Sequence, residues 1–510
     1  MIVDVKFDKW NTFEVVSDDK SIHEFPLTKE VSYVDRYFDK KLRRMANTTV
    51  TYTDKYFINE TPTGYVFNYT QFPIILSHYL KLGYLSVDKY YEYIKELYLP
   101  EIKAEDIPQS LGNMTMYDEQ MNIIRTLMTK RFGLCHVFTG FGKTEMIAFM
   151  CYYYVNVMKW NVLVTAPNAT VLREIEHRIN DRLGTKIGVN YPNESGVLCI
   201  NAASVRRQHY NHHNYQDYLS TIKVILSDEV EACLTPTHLQ VYDYCKNREC
   251  MYGFSATPDC YCGNLDVNNG VTNESFRNKQ LLNTFGGSLI NLVPNGFEVN
   301  INIINLPWWR VNDRNLIKMS NKFLNSSDIG ELPPDYRVRL DNDLFMRSNI
   351  AKVLFKLSQT YPNLMVTINR TEVIDYWVKE LPEVKILEIS GRGYISRYQG
   401  KSTQMNVDKL KETYLEHQLI FGTKSLFRGV DLPELHNSIQ LSGTKSGQTI
   451  QSVGRTARKR LMNVLILSPG EFILGFTNQN KARIELIKSQ YPESLNKIST
   501  NNITLDLNSL

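Results

Sequence analysis

After an apolar run ending at Phe138, the chain reads Thr139-Gly140-Phe141-Gly142-Lys143-Thr144 and then turns apolar again at Met146. The two glycines let the backbone curl so that successive N–H groups face one anion, and a helix starting here adds its partial positive end. Lys143 would neutralise β and γ phosphates, and the Thr144 hydroxyl would ligate Mg2+. The strict form of such a loop has glycine at position 137, where this chain has Val137. Read alone, the turn also suits an ordinary strand–helix connection. A second feature narrows the reading, because Val224-Ile225-Leu226-Ser227-Asp228-Glu229-Val230-Glu231 places an apolar strand directly before carboxylates. At such a strand end Asp228 would hold Mg2+ through water, and Glu229 would orient and deprotonate a water attacking a γ-phosphate. Further on, Gln451-Ser452-Val453-Gly454-Arg455-Thr456-Ala457-Arg458 sets Arg455 and Arg458 three apart on one face of an expected helix. Their guanidinium groups match phosphate geometry. Together these residue types supply phosphoryl chemistry on ATP with Mg2+.

The elements that must position them are legible as apolar runs. Residues 134–138, 161–165, 196–200 and 224–226 are separated by helical patterns such as 172–183. A second set follows at 364–368, 384–389, 418–422, 438–441 and 464–467. Continuous apolar strands alternating with helices predict parallel sheets covered on both faces, hence two α/β lobes. Ahead of them, short strands and the turn Thr61-Pro62-Thr63-Gly64 lead into a tyrosine-rich helical pattern that stops at Pro100 and Pro108, which predicts a small α+β domain. The stretch 306–345, with Trp308, Trp309 and Pro333-Pro334, has weak periodicity and is assigned as a connector. The expected organisation is an accessory domain at 1–112, a first lobe at 113–305, the connector at 306–345 and a second lobe at 346–510.

Composition sets the outer bounds. At roughly 150 residues per domain, 510 residues suggest about three domains. A chain 43% hydrophobic and 22% charged is not globally disordered. The net charge of +4 permits a polyanionic partner without requiring one. Eight scattered cysteines and a charged start point to a reducing cytoplasm. The longest apolar run, 146–158, contains Asn156 and falls short of the ~20 residues of a membrane span, so no membrane association is expected. Cys245, Cys250, Cys260 and Cys262 lack two CxxC pairs and read as free thiols rather than zinc ligands. Glu101-Ile102-Lys103 and Glu383-Val384-Lys385 are read as coincidental matches to half of a nuclease motif, and His209, His212 and His213 as a polar surface loop.

In order and spacing, these segments resemble the superfamily-two helicases and translocases, and most closely the phage recombination DNA helicases of the UvsW type. The resemblance implies two RecA-like lobes preceded by the small α+β domain. It implies that Tyr117 and Gln120 read adenine, that residues 139–144 are motif I, and that Thr165, Pro167 and Asn168 of motif Ia line a nucleic-acid path. Asp228 to Glu231 would be motif II, with Glu231 where many members carry Asp or His, and Ser255-Ala256-Thr257 motif III. Asn369 and Arg370 of motif IV and Thr423 and Lys424 of motif V would contact nucleic acid, while Gly429, Asp431 and Gln451 would face the nucleotide. Arg455 and Arg458 would act as arginine fingers. Two further departures are Ser452, where motif VI often has Arg, and Met116, where an Arg usually precedes the adenine-reading aromatic. The implied function is an ATP-dependent DNA helicase or translocase on branched, forked or duplex DNA, in recombination, replication and repair. Its place would be the infected-host cytoplasm if the source is viral. The motor motifs leave open an RNA helicase, and a nucleic-acid-binding scaffold with a degenerate ATP site. Because fingers reach the phosphate only in the closed state, Arg455→Ala and Arg458→Ala should cut turnover far more than nucleotide affinity. Parallel nucleotide-binding and steady-state ATPase measurements check this, and lost affinity with intact saturated turnover would remove the finger role.

Overall fold

The computed structural model describes residues 3–8, 12–18, 28–39, 44–55, 57–167, 169–183, 196–200, 214–256, 265–266, 270–271, 281, 283–309, 311, 314–322, 334–347, 349–368, 370–423, 432, 434–441, 453–454, 456, 460–469 and 474–506. Strand Thr12–Val16 alternates, burying Phe13 and Val15 while its other residues stay partly exposed. It pairs antiparallel with Asp4–Asp8 and Gly64–Asn68, and Asn59–Glu60 completes a four-stranded sheet. Helix Phe72–Lys81, with Pro73 in its first turn, lays Phe72, Ile75, Leu76 and Tyr79 on Phe13 and Phe67. Helix Val87–Ile94 starts at Ser86, whose hydroxyl accepts the Lys89 N–H at 3.3 Å. Its Tyr93 donates to the Asp4 carboxylate, a bond that holds the Asp4 carboxyl below its ordinary value. Strands Thr28–Asp39 and Arg44–Lys55 form a separate two-stranded ribbon.

The first large sheet has six strands in the order Val197–Ile200, Asn161–Thr165, Ile222–Asp228, Cys250–Ser255, Phe132–Val137, Ser288–Leu292. The first five run parallel, and their residues are buried almost without interruption. Met146–Cys151, within the run 146–158, is fully buried in helix Lys143–Tyr152. Among the described residues, no helix is long and apolar enough to cross a membrane.

The second sheet has nine strands in the order Lys401–Met405, Gly393–Tyr398, Ile386–Ser390, Leu419–Gly422, Leu364–Thr367, Asn437–Gln440, Leu461–Pro469, Glu298–Leu306, Lys497–Thr504. Seven are parallel, and a hairpin at one edge is antiparallel. The stretch assigned as a connector holds helices Arg314–Lys322 and Pro334–Asp341. It also buries Trp309 in the core of this sheet, with the indole N–H donating to Leu344 O at 2.8 Å. Side chains form a hydrogen-bonded row across four parallel strands. Ser499 Oγ donates to Asn300 Oδ1 (2.6 Å), Asn300 Nδ2 to Asn463 Oδ1 (3.1 Å), Asn463 Nδ2 to Asn437 Oδ1 (2.8 Å), and Asn437 Nδ2 to Pro362 O (2.7 Å). The backbone register aligns the same residues, Asn300 with Ser499 and with Asn463, and Asn463 with Asn437.

Two compact units result, one of Met1–His136 and Thr144–Asn291, the other of Val137–Lys143 and Leu292–Leu510. Asn463→Ala removes the middle of the row and leaves an Asn300 donor and an Asn437 acceptor without partners. For the buried Asn437 acceptor such an orphan costs about 1–3 kcal/mol, so the urea midpoint of the second unit should fall measurably. An unchanged midpoint would show that the row adds nothing to stability.

Candidate nucleotide and nucleic-acid site

Parallel register brings the chemical residues of the first unit to one edge. Thr165 lies opposite Ser227, Asp228 opposite Phe254, and Ser255 opposite His136. Each is at or beside the carboxyl end of its strand, where open α/β sheets bind ligands. Asp228 is 5% exposed. Directly after it, Glu229 adopts φ 47°, ψ 50°, a left-handed conformation that a residue with a Cβ adopts at a cost of order 1–3 kcal/mol. The turn Val230–Ala232 follows, pinned by buried Val230. Burial, and then the charge of Glu229, push the Glu231 carboxyl well above its ordinary value, against the lowering effect of a hydrogen bond from Ser255. The expected motifs II and III are therefore in direct contact, through Ser255 and Glu231.

In the phosphate loop Gly140 and Gly142 have φ 88° and 98°, conformations open to glycine and strained for other residues. The Phe141 N–H donates to Phe138 O at 3.3 Å, closing the turn. Lys143 opens helix Lys143–Tyr152 with Thr144 next to it, and Lys143 is largely buried. Within the second unit Gly454, beside Arg455, approaches the loop so closely that a Cβ there would lie 2.6 Å from Thr139 Cβ. Each unit holds residues that fit part of a nucleotide with its Mg2+. Among the described residues, Thr139 Oγ1 in the second unit and Glu231 Oε2 in the first are buried polar atoms without a hydrogen-bond partner, each in a costly state that a phosphate or a hydrated cation would relieve.

Tyr117 is 75% exposed at the start of helix Asp118–Met128, and its N–H donates to the side chain of buried Gln120 at 3.1 Å. An open aromatic face beside a fixed amide is suited to a flat heterocycle. Thr165 is fully buried, and Pro167 is partly exposed just beyond it. Arg370 donates to Asn342 Oδ1 at 2.8 Å and Val338 O at 3.1 Å. Thr423 is buried at the end of its strand, its N–H on Ile389 O at 3.1 Å. The assignments of Asn168, Asn369, Lys424, Gly429, Asp431, Gln451, Arg455 and Arg458 lie outside the described residues, as do Thr257, Cys260, Cys262 and the three histidines. Cys245 and Cys250 are buried thiols.

Tyr242 carried no motif signal in the sequence. It sits near the end of helix Pro236–Tyr244, which begins at Thr235, whose hydroxyl caps the His238 N–H. Its hydroxyl lies 3.0 Å from Thr165 Oγ1, 3.3 Å from Ser227 Oγ and 3.3 Å from Cys233 O. The one sequence clue is the Thr235-Pro236 helix start a few residues after the carboxylates.

Residues 113–260 match the family described as Type III restriction enzyme, res subunit. No curated protein matches. Among solved structures, S. cerevisiae Dbp5 bound to RNA and ADP BeF3 is similar at a TM-score of 0.52 and 12% identity, over 79% of this chain and 95% of that one. UvsW of bacteriophage T4 is similar at a TM-score of 0.40 and 14% identity, over 99% of this chain and 100% of that one. Helicase Lhr of Mycobacterium smegmatis bound to ssDNA and AMP-PNP is similar at a TM-score of 0.47 and 13% identity, over 75% of this chain and 48% of that one.

Lys143→Ala and Glu229→Gln should both abolish ATP turnover, the first by weakening phosphate binding and the second while leaving it intact. Turnover assays with nucleotide-binding titrations separate the two. Near-normal hydrolysis by Glu229→Gln would take that residue out of the water-activating role.

Proposed function

We propose that this chain, which has the two-lobed RecA-like α/β fold of the superfamily-two helicases, is a Mg2+- and ATP-dependent motor working in the cytoplasm on nucleic acid, with branched or duplex DNA as its track. The observation that carries the reading is the strand edge of the first unit, where Asp228, left-handed Glu229 and the Ser255–Glu231 bond follow one another. Lys143 and the N–H groups of the glycine loop would hold the phosphates. Asp228 and Thr144 would hold Mg2+, which when bound supplies positive charge to the transferring phosphoryl group. Glu229 would take the proton of the attacking water. Arg455 and Arg458 would meet the charge that develops as the bond to the γ-phosphate breaks. Tyr117 and Gln120 would receive the adenine. Residues of motifs Ia, IV and V would grip the phosphodiester backbone, giving binding that weakens steeply with salt.

The accessory region is the proposed selector of branched substrates. Within the first unit it is fastened to the amino edge of the ATPase sheet. Gln71 Nε2 donates to Asn283 Oδ1 at 2.6 Å, Thr70 Oγ1 to Asn283 O at 2.9 Å, and Arg131 Nε to Glu96 O at 3.1 Å. Tyr69 packs edge-on against Phe132 at 5.6 Å. Deleting residues 1–110 would strip these partners from buried groups, so charge reversal of Lys40, Lys41, Arg43 and Arg44 is the cleaner test of DNA contact. A second reading, an RNA track, is favoured by the RNA bound to Dbp5. ATPase turnover across single-stranded, duplex, forked and four-way DNA and matched RNA discriminates them. Greatest stimulation by forked or four-way DNA, lost selectively on charge reversal, is the expected result. Preference for RNA would establish the second reading, and inactivity with every nucleic acid would leave a scaffold.

A further inference from the structure

Tyr242 is buried, and its ring is held edge-on by Phe285 at 5.9 Å. A phenol has one O–H and two acceptor positions. The Cys233 carbonyl only accepts, so Tyr242 donates there and accepts from the hydroxyls of Thr165 and Ser227. Its hydrogen-bonding capacity is thereby filled. The three partners come from two separate pieces of chain, the strand that ends at Thr165 and the continuous stretch from Ser227 to Cys233. Thr165 ends the strand that leads into Ala166-Pro167 of the proposed nucleic-acid path. Ser227 immediately precedes Asp228. Cys233 closes the turn after Glu229, and its Sγ lies 3.4 Å from Asp228 O.

We infer that Tyr242 is a positioning residue that couples nucleic-acid engagement at the Thr165 strand end to the placement of Asp228 and Glu229, so that its hydroxyl carries part of the nucleic-acid stimulation of ATP hydrolysis. The inference rests on the motor reading above. A ring clamped in a packed interior has few ways to follow one partner without leaving another. When nucleic acid shifts the segment after Thr165, the phenol oxygen transmits the shift to the residue before Asp228 and to the turn after Glu229. Tyr242 touches no reacting atom. It sets where the reacting side chains stand.

Tyr242→Phe keeps the ring and deletes the node. Its expected phenotype is a basal ATPase rate within about twofold of the unmodified enzyme, with stimulation by saturating single-stranded DNA or RNA reduced at least about fivefold, a typical size for coupling between sites. The gain in nucleic-acid affinity on adding a non-hydrolysable ATP analogue, read by fluorescence anisotropy, should shrink as well, and by reciprocity the gain in analogue affinity on adding nucleic acid should shrink by that same factor. Thr165→Val cuts a single limb, and adding it to Tyr242→Phe should reduce stimulation no further, because both changes remove the same bond. Thermal melting of each variant confirms folding. Equal loss of basal and stimulated rates would make the phenol merely structural and overturn the inference, as would full stimulation in Tyr242→Phe or additive effects in the pair. Should the unmodified protein hydrolyse ATP without responding to any nucleic acid, the motor reading itself fails, and the two failures are told apart by that control.

Discussion

A parallel strand has one carboxyl end, and neighbours that pair in parallel must deliver theirs to the same edge. The chemistry of the first unit depends on this constraint. The strands ending at Thr165, Asp228 and Ser255, with the strand that runs into the glycine loop, bring together residues more than a hundred positions apart. At that edge the backbone ladder stops, and side chains must satisfy what it leaves. Thr165, Ser227 and Ser255 are fully buried there, so each hydroxyl needs a partner within the protein. Tyr242 serves two of them and Glu231 the third. The acidic turn is thus built on a desolvated floor of hydroxyls, and burial together with the charge of Glu229 raises the Glu231 carboxyl against the hydrogen bond from Ser255.

The second sheet meets the same need differently. There the asparagine row, buried at Asn437 and partly buried at Asn300, Asn463 and Ser499, satisfies amide after amide across the strands. Glu388, fully buried, is held by the Arg397 guanidinium and by Ser390 Oγ at 2.7 Å. Arg397 also reaches Asp375, which takes two bonds from Arg392 at 2.9 Å each. A buried carboxylate is tolerable only in such company. These contacts fix which strands lie side by side, a job that apolar packing alone does loosely.

What was legible in the sequence follows from what a local pattern encodes. Continuous apolar runs announced parallel sheets, and the glycine loop and the Asp228-Glu229 pair announced the strand ends, because those features are contiguous in the chain. The strand Glu298–Leu306 was harder. Its alternating asparagines look like a solvent-facing surface, yet both of its edges are paired and Asn300 and Asn302 bond to neighbouring strands. Tyr242 was invisible for a related reason, since its partners come from 9 to 77 residues away and no spacing rule connects them. Trp309 lies in a stretch without periodicity, so no local pattern marks it as core. Its ring is buried in an apolar cluster gathered from distant segments, and its N–H is satisfied by a carbonyl 35 residues further on.

The position of Glu298–Leu306 also bears on how the protein is made. A ribosome releases this strand with neither neighbour yet in existence. One partner lies about 160 residues downstream and the other 199. At roughly 5–20 residues per second, the strand waits on the order of ten seconds or more with two open edges and the apolar side chains of Val299, Ile301 and Ile303 exposed. Once residues 461–504 arrive, a register slipped by one residue would turn Asn300 and Asn302 away from Asn463, Ser499 and Asn501, so the polar row favours the native pairing.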